Sequence, residues 1–192
     1  MPDDLISYLL DLAYPWLLEQ RDQCMAGARP LSVGERLWLQ DYYDRRILDM
    51  VRLATVDRIT NPPFYADLIE AGRPVMDLSG ALGITLIDCV VVRKFLRQDS
   101  DSWLSLLFHE LVHVVQFDIL GSRGHLEAYL RGWADNGYQY HNVPLEVQAH
   151  RLEARFTRQE PHFDVRGVVE REIKKHNIIQ DSSPQVSPPR DS

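Results

Sequence analysis

The chain has few of the residues that mark secreted or nucleic-acid-binding proteins. Its 192 residues include only two cysteines, Cys24 and Cys89, which are too few for a disulfide framework. A net charge of −7 without a basic cluster argues against a protein that binds a nucleic-acid backbone. The chain opens without a basic leader, and we find no apolar stretch long enough for a membrane span. The sequence therefore predicts a cytoplasmic protein with no membrane span, in which Cys89 is a buried free thiol.

The apolar content is sufficient for one compact domain. Hydrophobic residues make up 45% of the chain, which is ordinary for a globular protein of this length. We expect a single domain over residues 1–179, with an N-terminal helical part at 1–46 and a core at 47–157. The polar segment 180–192 has almost no apolar residues and is predicted to be disordered.

Residue patterning predicts a mainly helical α+β fold. An amphipathic helix is expected at 3–25 with a kink or an interruption at Pro15, and another after the capping box of Ser32 and Glu35. Further helices are expected at 64–71, between Gly121 and Asn136, after Asn142, and at 164–177. We expect an aromatic cluster in the core or packing surface, formed by Trp38, Tyr42 and Tyr43.

A small β-sheet is predicted ahead of the longest apolar helix. Alternating apolar and polar residues indicate a strand near 49–57, and the β-branched run at 84–92 is the strongest strand signal. The second strand could lie at a sheet edge, where it would pair with an extended peptide, or at the centre of the sheet.

One segment carries the chemistry of a metal site: Leu106–Gln116 contains the pattern His109-Glu110-x-x-His113. Its apolar residues recur at helical spacing, and possible N-caps lie just upstream at 99–102. Because positions i and i+4 share one face of a helix, both imidazoles can reach one cation. Glu110 lies beside the first ligand and can address a water activated by that cation. This is the zinc metallopeptidase motif H-E-x-x-H.

A catalytic zinc site needs a third protein ligand and one position open to water. Gln116 and Ile119 stand where metzincins have glycine and histidine, so that class is excluded. Glu146, on a later predicted helix, is the preferred third ligand. His141 is ranked second because it would complete a set of three histidines. The remaining candidates are His125, His150 and Glu153, the last of which could instead orient a ligand imidazole.

The motif, followed by Gly137-Tyr138 and by Pro144-Leu145-Glu146-Val147-Gln148-Ala149, resembles the gluzincin metallopeptidases. Within them it is similar to small bacterial minigluzincin-like peptidases, over roughly residues 47–157. The resemblance implies a zinc ion held by His109, His113 and Glu146, with Glu110 as general base. It also implies an edge strand ahead of the motif helix. Thermolysin-type members often carry aspartate four residues past the ligand glutamate, whereas this chain has His150.

These observations predict a Zn²⁺-dependent enzyme acting on a peptide or protein substrate. Glu110 would take the proton of the attacking water, and the oxyanion donor would be Tyr138, Tyr140 or His141. Two alternatives compete with this interpretation. One is a non-enzymatic, zinc-stabilised binding or sensor module with a closed site, and the other is an α+β interaction domain without metal.

Overall fold

The computed structural model describes residues 3–96 and 100–181, with side-chain surroundings from residue 5 to residue 175. About 61% of it is helical, and a small mixed sheet accompanies the helices. The α+β fold class predicted from the sequence is confirmed. The helices, in chain order, are α1 Asp3–Met25, α2 Val33–Leu39, α3 Arg45–Met50, α4 Tyr65–Glu70, α5 Asp101–Leu120, α6 Ser122–Asp135, α7 Pro144–Thr157 and α8 Val165–Asp181.

The sheet has the strand order β1-β2-β4-β3, with β1 at Arg29–Pro30, β2 at Arg52–Val56, β3 at Gly83–Leu86 and β4 at Cys89–Arg93. β2 and β4 are parallel, whereas the outer strands β1 and β3 are antiparallel to their neighbours. The prediction of one strand at 84–92 is wrong, because the chain reverses at Ile87 and Asp88 to form a hairpin. The predicted strand at 49–57 is shorter than expected, since its first residues belong to α3. The hairpin places β3 at the sheet edge and β4 inside.

Helices cover both faces of this sheet. On β4, Val90 and Val92 pack into the cluster that contains α5, whereas Cys89 and Val91 pack into the cluster that contains Leu17 of α1. This alternation follows from the two-residue period of a strand. Cys89 is fully buried and has a free thiol, as predicted.

The motif helix α5 is the central element of the molecule. Ser100 caps its N-terminus by accepting a hydrogen bond from the Trp103 amide, within the predicted capping segment. Its contacts reach the sheet, α6, α7 and α8. By length and composition α5 could cross a membrane, which contradicts the expectation that no segment is long enough. However, 67% of its most apolar 18-residue window is buried inside the protein, and a buried core helix can be equally long and apolar.

The N-terminal part agrees with its prediction at the capping box and differs from it at Pro15 and Trp38. The capping box of Ser32 and Glu35 is confirmed, but α1 runs through Pro15 without ending there. Pro15 removes one backbone hydrogen bond, and the packing of α1 against the sheet and α6 outweighs that loss. Tyr42 and Tyr43 are buried, whereas Trp38 is 62% exposed because α2 turns Glu35 and Leu39 towards the core.

The C-terminal helix extends past its predicted end. α8 continues to Asp181, so residues 180 and 181 are helical rather than part of a disordered tail. The rest of the predicted tail, 182–192, lies outside the described residues.

Candidate metal centre

Two histidines of α5 face each other across one helical turn. The Nε2 atoms of His109 and His113 are 3.1 Å apart, and both rings are buried. α5 is helical throughout this segment, so the i, i+4 spacing brings the rings together without any help from another element.

Glu146 reaches this pair from α7. Its Oε2 atom lies 3.4 Å from the Nε2 atoms of both His109 and His113. Gly121, at φ 72°, separates α5 from α6, and α7 then packs along α5 with Glu146 in its first turn. The structure thus brings together the three residues predicted as metal ligands.

The spacing of the three ligand atoms fits a tetrahedral zinc ion. With zinc bonds of about 2.0–2.1 Å, two ligands of a tetrahedron are separated by about 3.3 Å. The separations here are 3.1 Å between the histidine nitrogens and 3.4 Å from each nitrogen to the carboxylate oxygen. The residues present therefore fit the group that the motif implies, with a fourth vertex free of these three side chains.

Hydrogen bonds to the outer nitrogens orient both imidazoles. Glu153 lies 3.1 Å from His109 Nδ1, and the Gln116 side-chain oxygen lies 2.8 Å from His113 Nδ1. Both partners offer a hydrogen-bond acceptor, which favours a proton on each Nδ1 atom and leaves the Nε2 atoms to face the shared centre. Glu153, one of the candidate ligands, thus has the orienting role that the sequence left open.

Gln116 is itself fixed by two further hydrogen bonds. Its side-chain nitrogen donates to the Leu145 carbonyl at 3.0 Å and to the Gln148 side-chain oxygen at 2.9 Å. Because Leu145 and Gln148 flank Glu146 on α7, this amide connects the two ligand-bearing helices.

Two tyrosines hold the Glu146 carboxylate. Tyr129 of α6 donates to Oε1 and Tyr140 donates to Oε2, each at 2.7 Å. Burial, reinforced by the charge of Glu146, raises the pKa of both hydroxyls, so they remain donors at neutral pH.

Of the three predicted oxyanion donors, only Tyr140 lines the cavity that contains the ligands. Its hydroxyl is bonded to Glu146, as described above. Tyr138 packs its ring edge against Trp133 at 5.0 Å, and His141 is exposed. Gly137 and Tyr138 have left-handed backbone conformations in the turn that follows α6.

Glu110 is buried beside the ligand set and contacts the edge strand. Its Oε2 atom accepts a hydrogen bond from Thr85 Oγ1 at 2.7 Å. A Cβ atom at Gly83 would lie 2.8 Å from Glu110 Oε1, so this glycine makes room for the carboxylate. Burial raises the pKa of Glu110 despite the two nearby histidines, which favours a carboxylate that can take up a proton.

The charges around the centre favour a cation. Burial alone would lower the pKa of His109, but its hydrogen bonds to the carboxylates of Glu146 and Glu153 outweigh burial and raise this pKa to about 10. Glu146 is stabilised as an anion in spite of its burial, chiefly by His113, and its pKa lies far below the usual range. The negative charges of the nearby glutamates, which stabilise protonated forms of His109 and His113, would also stabilise a metal cation between these rings.

The ligand set opens onto a cavity of about 720 Å³. Its walls come from α1, the segment 62–82, β3, α5 and α6, and they are mainly apolar. The apolar wall includes Leu9, Trp16, Leu17, Phe64, Met76 and Leu126. A cavity of this size accommodates several residues of an uncharged peptide.

The other candidate ligands have different surroundings. His150 has a nitrogen within 4.8 Å of ligand atoms on His109 and Glu146, yet its ring is half exposed and its Nδ1 pairs with Glu153 at 3.2 Å. His113 fits a ligand set with His109 and Glu146 better than His150 does. Its Nε2 atom lies 3.4 Å from the Glu146 carboxylate, and its ring is buried. His125 is also buried, but its ring lies 6.3 Å from the His113 ring and its nitrogens are not bonded to the ligand set.

Sequence reasoning missed several residues that support the site. Gln148 hydrogen-bonds to Gln116, Tyr129 to Glu146 and Thr85 to Glu110. Gln116 is not one of the missed residues, because helical spacing predicts it on the same stripe as His109 and His113. The others lie on different elements and carry no local signal.

No protein-family model matches the chain, and comparisons with characterised proteins and with solved structures find no significant match. The function is therefore argued from the site and its chemistry.

Proposed function

We propose that the protein is a zinc-dependent metallopeptidase that hydrolyses peptide bonds with Glu110 as general base. The observation that carries this proposal is the triangle of His109, His113 and Glu146, whose sides of 3.1 and 3.4 Å match zinc coordination. Support also comes from the buried carboxylate of Glu110 next to this triangle and from the peptide-sized cavity.

A zinc ion at this centre would polarise the scissile carbonyl and lower the pKa of water to about 7. Glu110 accepts the proton of the attacking water and returns it to the leaving amine. Thr85 holds the Glu110 carboxylate in place through the 2.7 Å hydrogen bond. Strand β3, which carries Thr85, is at the edge of the described sheet, where an extended peptide would pair with it.

The decisive experiment compares wild-type protein with Glu110→Gln and Glu146→Ala, purified without a histidine tag. Metal analysis should give one zinc per wild-type chain and per Glu110→Gln chain, with weaker zinc binding in Glu146→Ala. Hydrolysis of a peptide library should fall by at least about 100-fold in Glu110→Gln, since general base catalysis contributes that much. Full-rate cleavage of a responsive peptide by Glu110→Gln would refute the assignment.

A second candidate is a closed, non-enzymatic zinc module with His150 as fourth ligand. It is favoured because a ring nitrogen of His150 lies within 4.8 Å of the ligand atoms of His109 and Glu146. A hydroxamate chelator distinguishes the two, because it binds a zinc ion that has an open position. Hydroxamate binding to zinc-loaded protein supports the peptidase, and its failure while zinc is retained supports the closed module.

A further inference from the structure

His125 is a buried polar residue that the proposed hydrolysis does not use. It lies near the start of α6, with 4% of its surface exposed, and it lines the cavity next to the ligand set. Within residues 3–96 and 100–181, neither of its ring nitrogens has a hydrogen-bond partner. A buried polar group without a hydrogen-bond partner destabilises the folded state, so an arrangement of this kind calls for a partner from outside the described residues.

Stacking fixes the ring in the cavity wall. One face of His125 lies on Phe117 with the ring centroids 3.6 Å apart, and Tyr129 lies 6.1 Å away on the same helix. The His113 ring is perpendicular to it at 6.3 Å. His125 is thus next to a predicted metal ligand while its nitrogens are bonded neither to that ligand nor to Glu146.

Burial beside apolar side chains disfavours a charged imidazole at His125. Burial, with a further contribution from His113, lowers the pKa of His125 well below its usual range. A neutral imidazole has one N–H donor and one nitrogen acceptor. The wall beside the ring is apolar, with Leu17, Phe117 and Leu126 in one packed cluster, so an apolar ligand segment can pack there without losing hydration.

We propose that His125 binds the substrate by hydrogen-bonding to an amide group of an uncharged, apolar peptide segment that fills the cavity. An amide has both a carbonyl acceptor and an N–H donor, so it satisfies either nitrogen of the neutral ring. Both nitrogens are covered by neighbouring side chains, so the proposed hydrogen bond requires a side-chain adjustment of the kind that is common on binding. This proposal rests on the proposed peptidase function for the identity of its ligand as a substrate.

The test uses two probes, acetyl-Leu-Leu-Leu-amide and butylbenzene, which has no hydrogen-bonding group. Calorimetry measures their binding to the full chain in the Glu110→Gln background, with and without added zinc. His125→Phe keeps the ring that stacks on Phe117 and removes both nitrogens. It should weaken tripeptide binding about tenfold, the equivalent of one or two hydrogen bonds, while butylbenzene binds as tightly or tighter.

Two further variants sharpen the result. His125→Gln keeps a donor and an acceptor and should recover part of the tripeptide affinity. His162→Phe changes an exposed histidine outside the cavity and should leave both probes unaffected. Equal tripeptide affinity in wild type and His125→Phe overturns the proposal, and so does an equal loss of both probes, which would indicate a changed cavity shape.

The outcome is separable from the proposed function. If the protein binds no zinc and cleaves no peptide, but tripeptide affinity still depends on His125, the result supports the binding role of His125 and refutes the proposed peptidase function. If zinc-loaded protein cleaves peptides and His125→Phe leaves KM unchanged, the binding role alone is refuted.

Discussion

At the scale of single residues, the site depends on which nitrogen of each histidine faces the centre. His113 would be free to flip or to change tautomer without the acceptor that Gln116 places 2.8 Å from its Nδ1. Gln116 is also fully buried and donates to α7, so its loss would disturb both the ligand and the position of Glu146.

Replacing Gln116 therefore tests the orientation of His113. Gln116→Met has a similar volume but lacks the acceptor, and it should lower zinc affinity about 10–100-fold, measured by competition with a chelator. Gln116→Glu keeps an acceptor for His113 Nδ1 and should retain more of the affinity than Gln116→Met. Wild-type affinity in Gln116→Met would show that His113 is oriented by other contacts.

At the scale of elements, the close approach of α6 to α7 positions Glu146. Gly132 of α6 lies against Pro144, the first residue of α7, and a Cβ atom at position 132 would be 2.6 Å from Pro144 Cδ. The proline ring is rigid, so the contact can only be relieved by moving one helix. Tyr129, which holds Glu146, lies one turn before this contact on α6.

We expect Gly132→Ala to destabilise the protein by about 1–3 kcal/mol through overpacking, as measured by urea unfolding. The matched control is Gly124→Ala on the same helix, where the nearest atom to a Cβ would be Leu120 Cβ at 3.9 Å. That substitution should stabilise the protein slightly, because alanine favours helix more than glycine. Equal effects of both substitutions would contradict the packing argument.

At the scale of the whole molecule, one partly exposed carboxylate links three helices. Asp118 of α5 forms ion pairs with Arg46 of α3 and Arg166 of α8. Hydrogen bonds from Arg46, and then from Arg166, outweigh burial and lower the pKa of Asp118 to about 2. Because this pKa is lower than in the unfolded chain, Asp118 stabilises the fold above about pH 4 and loses that effect as the pH falls towards 2.

Asp118→Asn should reduce the free energy of unfolding by about 1–2 kcal/mol at pH 7, allowing for solvent screening. The difference from wild type should shrink between about pH 4 and pH 2, as followed by urea unfolding at each pH. Asp11→Asn is the control, since Asp11 forms only an exposed pair with Arg123 and should have little effect. A difference that is independent of pH would contradict the assigned ion pairs.

The sequence by itself determined the features that depend on local spacing. The i, i+4 histidines, the N-terminal cap of α5, the capping box of α2 and the helix that carries Glu146 were all predicted because helical periodicity and capping act within a few residues.

Only the tertiary structure decided the rest. The hairpin at Ile87 has a left-handed backbone at a β-branched residue, without the glycine or asparagine that would signal a turn, so one long strand was predicted. The contacts of Gln116, Tyr129 and His125 likewise depend on how α6 and α7 pack against α5. Such contacts join residues far apart in the chain, and no periodicity of a single segment encodes them.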